Sequence, residues 1–100
     1  MEPLLPTDED TNLFFDDVII RLVSDLGYSK VRANEITHEF YSKFTDKEYC
    51  DSLGIGLHDD DLFFHDGVGG VALKIYYYLD LKGDPDPVKF KQWRASRYRS

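Results

Sequence analysis

Leu13, Phe14, Phe15, Val18, Ile19, Leu22, Val23 and Leu26 recur at intervals of three and four residues, and the pattern stops at Gly27. A stripe with that period is buried by an α-helix laid against other elements, and Gly is a common helix stop. About four turns of amphipathic helix are therefore expected, with Asp16, Asp17 and Asp25 on the polar side. The single cysteine, Cys50, cannot close an internal disulfide or contribute to a cysteine-rich zinc site, so packing alone must hold the fold.

A second helix is predicted after Ser29, a good N-cap, with Val31, Ala33, Ile36, Phe40 and Phe44 facing inward. On its other faces lie Glu35, Thr37, His38, Glu39 and Ser42. The short connection makes the two helices antiparallel neighbours. The segment TDKE at 45–48 has capping-box spacing and opens a short third helix with Tyr49 and Leu53 inward, ended by Gly54. Residues 54–70, GIGLHDDDLFFHDGVGG, mix glycine with aspartate and are expected to be irregular chain pinned by Leu62, Phe63 and Phe64. Residues 71–82 are apolar nearly all round. Helix and strand compete there, and the length favours helix. Asp86 and Pro87 then open a last helix that buries Phe90 and Trp93. The expected fold is all-α, a small antiparallel four-to-five-helix bundle, with residues 1–10 a flexible acidic leader and 11–100 a single helical domain.

Charge is divided along the chain. Residues 1–66 hold 16 Asp or Glu against 5 Lys or Arg, a balance of −11, and residues 67–100 hold 3 against 7, a balance of +4, giving −7 in all. An acidic surface of this size repels nucleic acid and anionic membranes and speeds encounter with a basic partner. No apolar run approaches the roughly 20 residues of a membrane span, and the opening MEPLLPTDED lacks the basic and apolar regions of a secretion signal. A soluble, cytoplasmic protein is expected.

His58, Asp59, Asp60, Asp61, His65 and Asp66 form the densest set of potential metal ligands, and on a helix His58, Asp61 and His65 would share a face. Their spacing matches no zinc or calcium motif, so a small metal-dependent hydrolase on this loop is an alternative, not the main reading. Cys50 with His38 or His58 offers a nucleophile and a base without an orienting group. GVGG at 67–70 lacks the strand and lysine of a phosphate loop. The chain is read as a non-enzyme, with no cofactor and no metal assigned.

In IYYYLDLKGDPDPVKFKQWRAS, residues 75–96, Tyr76, Tyr77 and Tyr78 would span about 200° of a helix, so at least one must face outward. Exposed tyrosines are frequent anchors of protein interfaces. This segment resembles the C-terminal part of the immunity proteins that neutralise nuclease colicins and pyocins, where an Asp-Leu-Ile-Tyr-Tyr-Pro turn precedes a helix ending Lys-(Glu/Gln)-Trp-Arg-Ala. Ile75, Tyr76 and Tyr77 match the first element, and Lys91, Gln92, Trp93, Arg94 and Ala95 match the last. Lys74 and Tyr78 depart from the pattern, and DLFF at 61–64 fits the same family position, leaving two registers open. The resemblance implies a small acidic helical inhibitor of a basic nuclease. In it Tyr76 and Tyr77 would be anchors, and Glu35, Glu39 and Asp46 would set specificity by their position on or after the second helix. Tyr78 and the loop carboxylates Asp59, Asp60 and Asp61 complete the expected partner-binding set. The partner is a basic toxin or nuclease domain, with no direct nucleic-acid contact. A phage-type inhibitor that mimics DNA charge is the second alternative.

Overall fold

The computed structural model describes residues 5–97, which form five α-helices and no strand. Helix α1 (Glu9–Leu26) is capped by Asp8, whose carboxylate accepts from the Thr11 N–H, and closes in a left-handed Gly27 whose N–H reaches the Leu22 carbonyl. Helix α2 (Lys30–Phe44) follows after a short link capped by Ser29. Asp46 caps α3 (Lys47–Leu53), while Thr45 instead ends α2 by donating its hydroxyl to the Tyr41 carbonyl at 2.6 Å. The cap is thus Asp46, one residue after the Thr45 that the TDKE spacing implied, and with Tyr49 at the third helical position the predicted capping box does not form.

Helix α4 (Asp60–Ile75) occupies much of the segment expected to be irregular. Asp59 caps it by accepting from the Leu62 N–H at 2.8 Å. Gly67, at φ 79 and ψ 166, breaks it in the middle. That backbone region is open to glycine and nearly closed to other residues, so the chain bends there while the helix resumes on both sides. The competition between helix and strand over 71–82 is won by helix: α4 runs into a π-helical turn, Tyr76–Asp80, marked by the Leu81 N–H to Tyr76 carbonyl bond at 2.9 Å. Helix α5 (Pro87–Arg97) starts as predicted, with the Asp86 carboxylate accepting from the Val88 N–H.

Helix α1 packs most extensively on α4 and then on α2, and α3 lies against α2. Phe15, Leu22, Ile36, Phe40, Phe44, Phe63, Val71 and Ile75 make the centre of the core. Several inward assignments are corrected. Leu13, Val23 and Val31 are exposed, the last at 69 %, and Ile20 lies outside too, because the apolar arc of α1 is wider than the strip its neighbours cover. Thr37, placed on an outer face, is fully buried. Residues 5–8, assigned to a loose leader, are tied down: Leu5 is buried, the Asn12 amide bonds its backbone at both ends, and Thr7 donates to Asp60 at 2.9 Å. Residues 1–4 lie outside the described residues.

A smaller apolar cluster of Leu73, Tyr77 and Phe90, edged by Tyr78 and Trp93, holds α5. The basic helix closes the bundle on the tyrosine run. No helix of the described residues is long and apolar enough to cross a membrane.

Candidate functional site

The predicted acidic contacts fall into two groups. Glu35 and Glu39 are exposed on α2, each near a cation of its own helix, Arg32 at 3.6 Å and Lys43 at 3.4 Å. Exposed pairs of this kind hold their partners weakly and exchange readily. Asp46 is exposed at the N-cap of α3. The second group is compact. Asp59, Asp60 and Asp61 border an open depression of about 400 Å³ with Tyr41, Thr45 and His58. The C-terminal end of α2 supplies Tyr41 and Thr45, and the N-cap and first turn of α4 supply the carboxylates, so a negative and a positive helix end both border the depression. Among the described residues, no lysine or arginine lines it.

The tyrosines are placed differently from expectation. Tyr77 is buried, donates its hydroxyl to the Asp84 carbonyl at 2.8 Å, and lies 5.3 Å from Phe90 and 5.1 Å from Trp93. Tyr78 packs between Phe44 and Phe90, and burial pushes its phenol up to about 12. Tyr76 is half-buried against Tyr28 and Trp93, under the Arg97 guanidinium. The π turn alters the helical register, so all three rings find aromatic neighbours inside the molecule. As anchors for a partner, Tyr77 and Tyr78 are spent on packing.

His58, Asp61 and His65 do not assemble a metal site. Among the described residues, no three His, Cys, Asp or Glu side chains are grouped to hold an ion. His58 precedes α4, is buried, and has both ring nitrogens engaged: Nδ1 lies 3.0 Å from the Gly56 carbonyl and Nε2 lies 3.1 Å from Lys74 Nζ. An ammonium only donates, so Nε2 accepts and the proton sits on Nδ1, facing Gly56. Lys74 also donates to Asp66 at 2.6 Å. Asp61 and His65 remain exposed. Cys50 is likewise no nucleophile: its thiol is buried on the Phe44 carbonyl at 3.4 Å and pushed up in pKa by that burial.

Sequence reasoning missed the linked His58, Lys74 and Asp66 side chains. The clue was Lys74 itself, the lone charge within VALKIYYYL, which had to find a partner if that segment was buried. Burial first, then Lys74, hold the His58 imidazole below its ordinary 6.5, while Asp66 and Asp59 oppose this. The unfolded chain therefore takes up a proton near 6.5 that the folded chain resists. Stability associated with neutral His58 is intact above 6.5 and declines as pH falls below it toward the folded value. Thermal denaturation stepped downward from pH 6.5 is expected to show a falling Tm, with a shallower fall in His58→Gln. Equal slopes in the two proteins would remove His58 as the cause.

Comparison with known proteins finds no family model, no curated protein and no solved structure that matches the chain.

Proposed function

We propose that the protein is an acidic, non-catalytic inhibitor that docks on a basic protein domain, of the type the immunity-protein resemblance implies. The observation that carries this reading is the depression edged by Asp59, Asp60 and Asp61, with no lysine or arginine among the described residues that line it. A concave site of one charge sign focuses the field outward and favours a lysine or arginine from an approaching partner. Glu35 and Glu39 extend the negative surface along α2, and Asp46 extends it past that helix. Contact falls to these carboxylates, while the tyrosine run acts from within by fixing α5. The compartment we assign is the cytoplasm, where the Cys50 thiol stays reduced. An inhibitor that imitates nucleic-acid charge would use the same depression, and the captured partner's identity separates the two.

The test is capture of partners from source cells by the wild type and by Asp59→Asn/Asp61→Asn, followed by association kinetics on whatever basic protein is retained. Asparagine keeps the N-cap at 59, and Asp60 is left alone because it holds Thr7. The variant is expected to slow association about tenfold or more, with a matching loss of salt dependence. A retained partner indifferent to both salt and the substitutions would overturn the reading.

A further inference from the structure

His58 also borders a second cavity, of about 250 Å³, where the loop before α4, α4 itself and α5 meet. Its apolar walls come from Ile55, Leu62, Tyr78 and Phe90. The last two rings are stacked, 5.6 Å apart at 27°. Lys74, Lys91, Arg94 and Asp66 supply its charge. With His58 neutral, three cations face one anion among the described residues, a local balance of +2 in a chain whose total is −7. Lys91 and Arg94 make no ion pair or hydrogen bond with a described residue. The half-buried Arg94 guanidinium reaches across to α4, where a Cβ built on Gly70 would lie 3.7 Å from it. Lys74 spends two donors on Asp66 and His58 and keeps a third.

We propose that this cavity binds a small organic monoanion: a carboxylate carried on an aromatic or branched apolar body. Arg94 offers the planar fork that matches a carboxylate, Lys91 and the third donor of Lys74 flank it, and the body lies against Tyr78, Phe90 and Leu62. The volume falls below the roughly 300–1,000 Å³ of drug-sized sites, which keeps the occupant small. A phosphate dianion fits poorly, because most of the wall is hydrocarbon and would strip its water without replacing it, and Asp66 already neutralises part of Lys74. Since α5 contributes Phe90, Lys91 and Arg94, occupancy ties that helix to α4 and stabilises the fold in proportion to ligand concentration. The site draws on no carboxylate of the proposed docking depression, so it stands or falls separately from that function.

The experiment is an amide-resolved NMR titration of the full chain with benzoate, with benzamide as the neutral isostere and inorganic phosphate as the bare anion. Benzoate is expected to shift amides of 55–58, of 70–74 and of α5 saturably, and to raise Tm. Benzamide and phosphate are expected to leave them in place. Arg94→Gln should weaken benzoate about tenfold or more, the size of a lost charge-assisted hydrogen bond. Lys91→Gln, at an exposed position that folding does not depend on, should weaken it by a smaller factor. Shifts that never saturate, equal responses to benzoate and benzamide, tighter binding of phosphate, or benzoate affinity unchanged in both variants would each overturn the proposal.

Discussion

Phe63→Ala is expected to cost about 3–5 kcal/mol of folding stability, a large part of the roughly 5–15 kcal/mol that holds a domain of this size. Phe63 is fully buried, and its ring lies 5.1 Å from Phe15 on α1, 5.9 Å from Phe40 and from Tyr41 on α2, and 5.8 Å from His58. Removing it opens a void walled by rings from several elements. Those rings are held by other contacts, Phe15 by Phe14 and Tyr41, and Phe40 by Phe44, so the walls cannot close in. Its neighbour makes the control. Phe64 is exposed at 47 % with Phe14 as its ring contact, and Phe64→Ala should cost under about 1 kcal/mol. Urea denaturation of the two variants, read at unchanged m-value, checks the contrast. Similar losses at 63 and 64 would mean that the acidic half of α4 is not the keystone of this core.

That contrast also shows where sequence reading reached its limit. The stops at Gly27 and Gly54, the caps at Ser29 and Asp86, and the inward Ala33, Ile36, Phe40 and Phe44 of α2 were legible because each depends on residues within one helical turn. The first half of α4 was not. Its aspartates, and the glycines at 67, 69 and 70 that follow, have low helix propensity, and what makes it helical is the burial of Phe63 among rings from distant positions, a tertiary effect that a local window does not contain. The outward faces of Leu13, Val23 and Val31 were hidden for the same reason, since periodicity gives an apolar arc but not how much of it neighbours cover. In the candidate site, the run Asp59–Asp61 was legible as charge, whereas its meeting with Tyr41 and Thr45 was not. The tyrosine run misled because partial exposure was read as a docking surface: only Tyr77 is buried, while the half-buried Tyr76 and Tyr78 lay their rings against Tyr28, Trp93, Phe44 and Phe90.

The uneven charge along the sequence acquires a structural meaning from these placements. The positive C-terminal segment is held by apolar contact: α5 seats its Phe90 and Trp93 on Leu73, Tyr77 and Tyr78, and two of its cations, Lys91 and Arg94, border the apolar cavity. Acidic depression and cationic cavity share His58 as a wall. Burial and the neighbouring Lys74 favour the neutral form of that imidazole, and Lys74 is itself paired with Asp66.

Gly83→Ala is expected to unseat this C-terminal arrangement, at a cost of about 1–3 kcal/mol, the range for overpacking. A Cβ on Gly83 would lie 2.3 Å from Cζ of Tyr77, inside the ring's own atoms. The ring has no room to step aside. Tyr78, Phe90 and Trp93 surround it with centroids 5.0, 5.3 and 5.1 Å away, and its hydroxyl is bound to Asp84 immediately beyond the glycine. Nor can the loop lift freely, since the Gly83 N–H is bonded to the Tyr77 carbonyl at 2.8 Å and Lys82 already sits at a left-handed φ of 52. The strain should therefore discharge into the weaker partner, the satellite cluster under α5, before the main core yields. Trp93, the only tryptophan, reports on that cluster alone. Its fluorescence in Gly83→Ala is expected to shift toward a solvated spectrum and to unfold at lower urea than the helical signal, while Gly56→Ala, with nothing within 4 Å of its Cβ, leaves both transitions together. A single transition in Gly83→Ala with an unchanged tryptophan spectrum would show that Tyr77 yields at little cost and that α5 is held some other way.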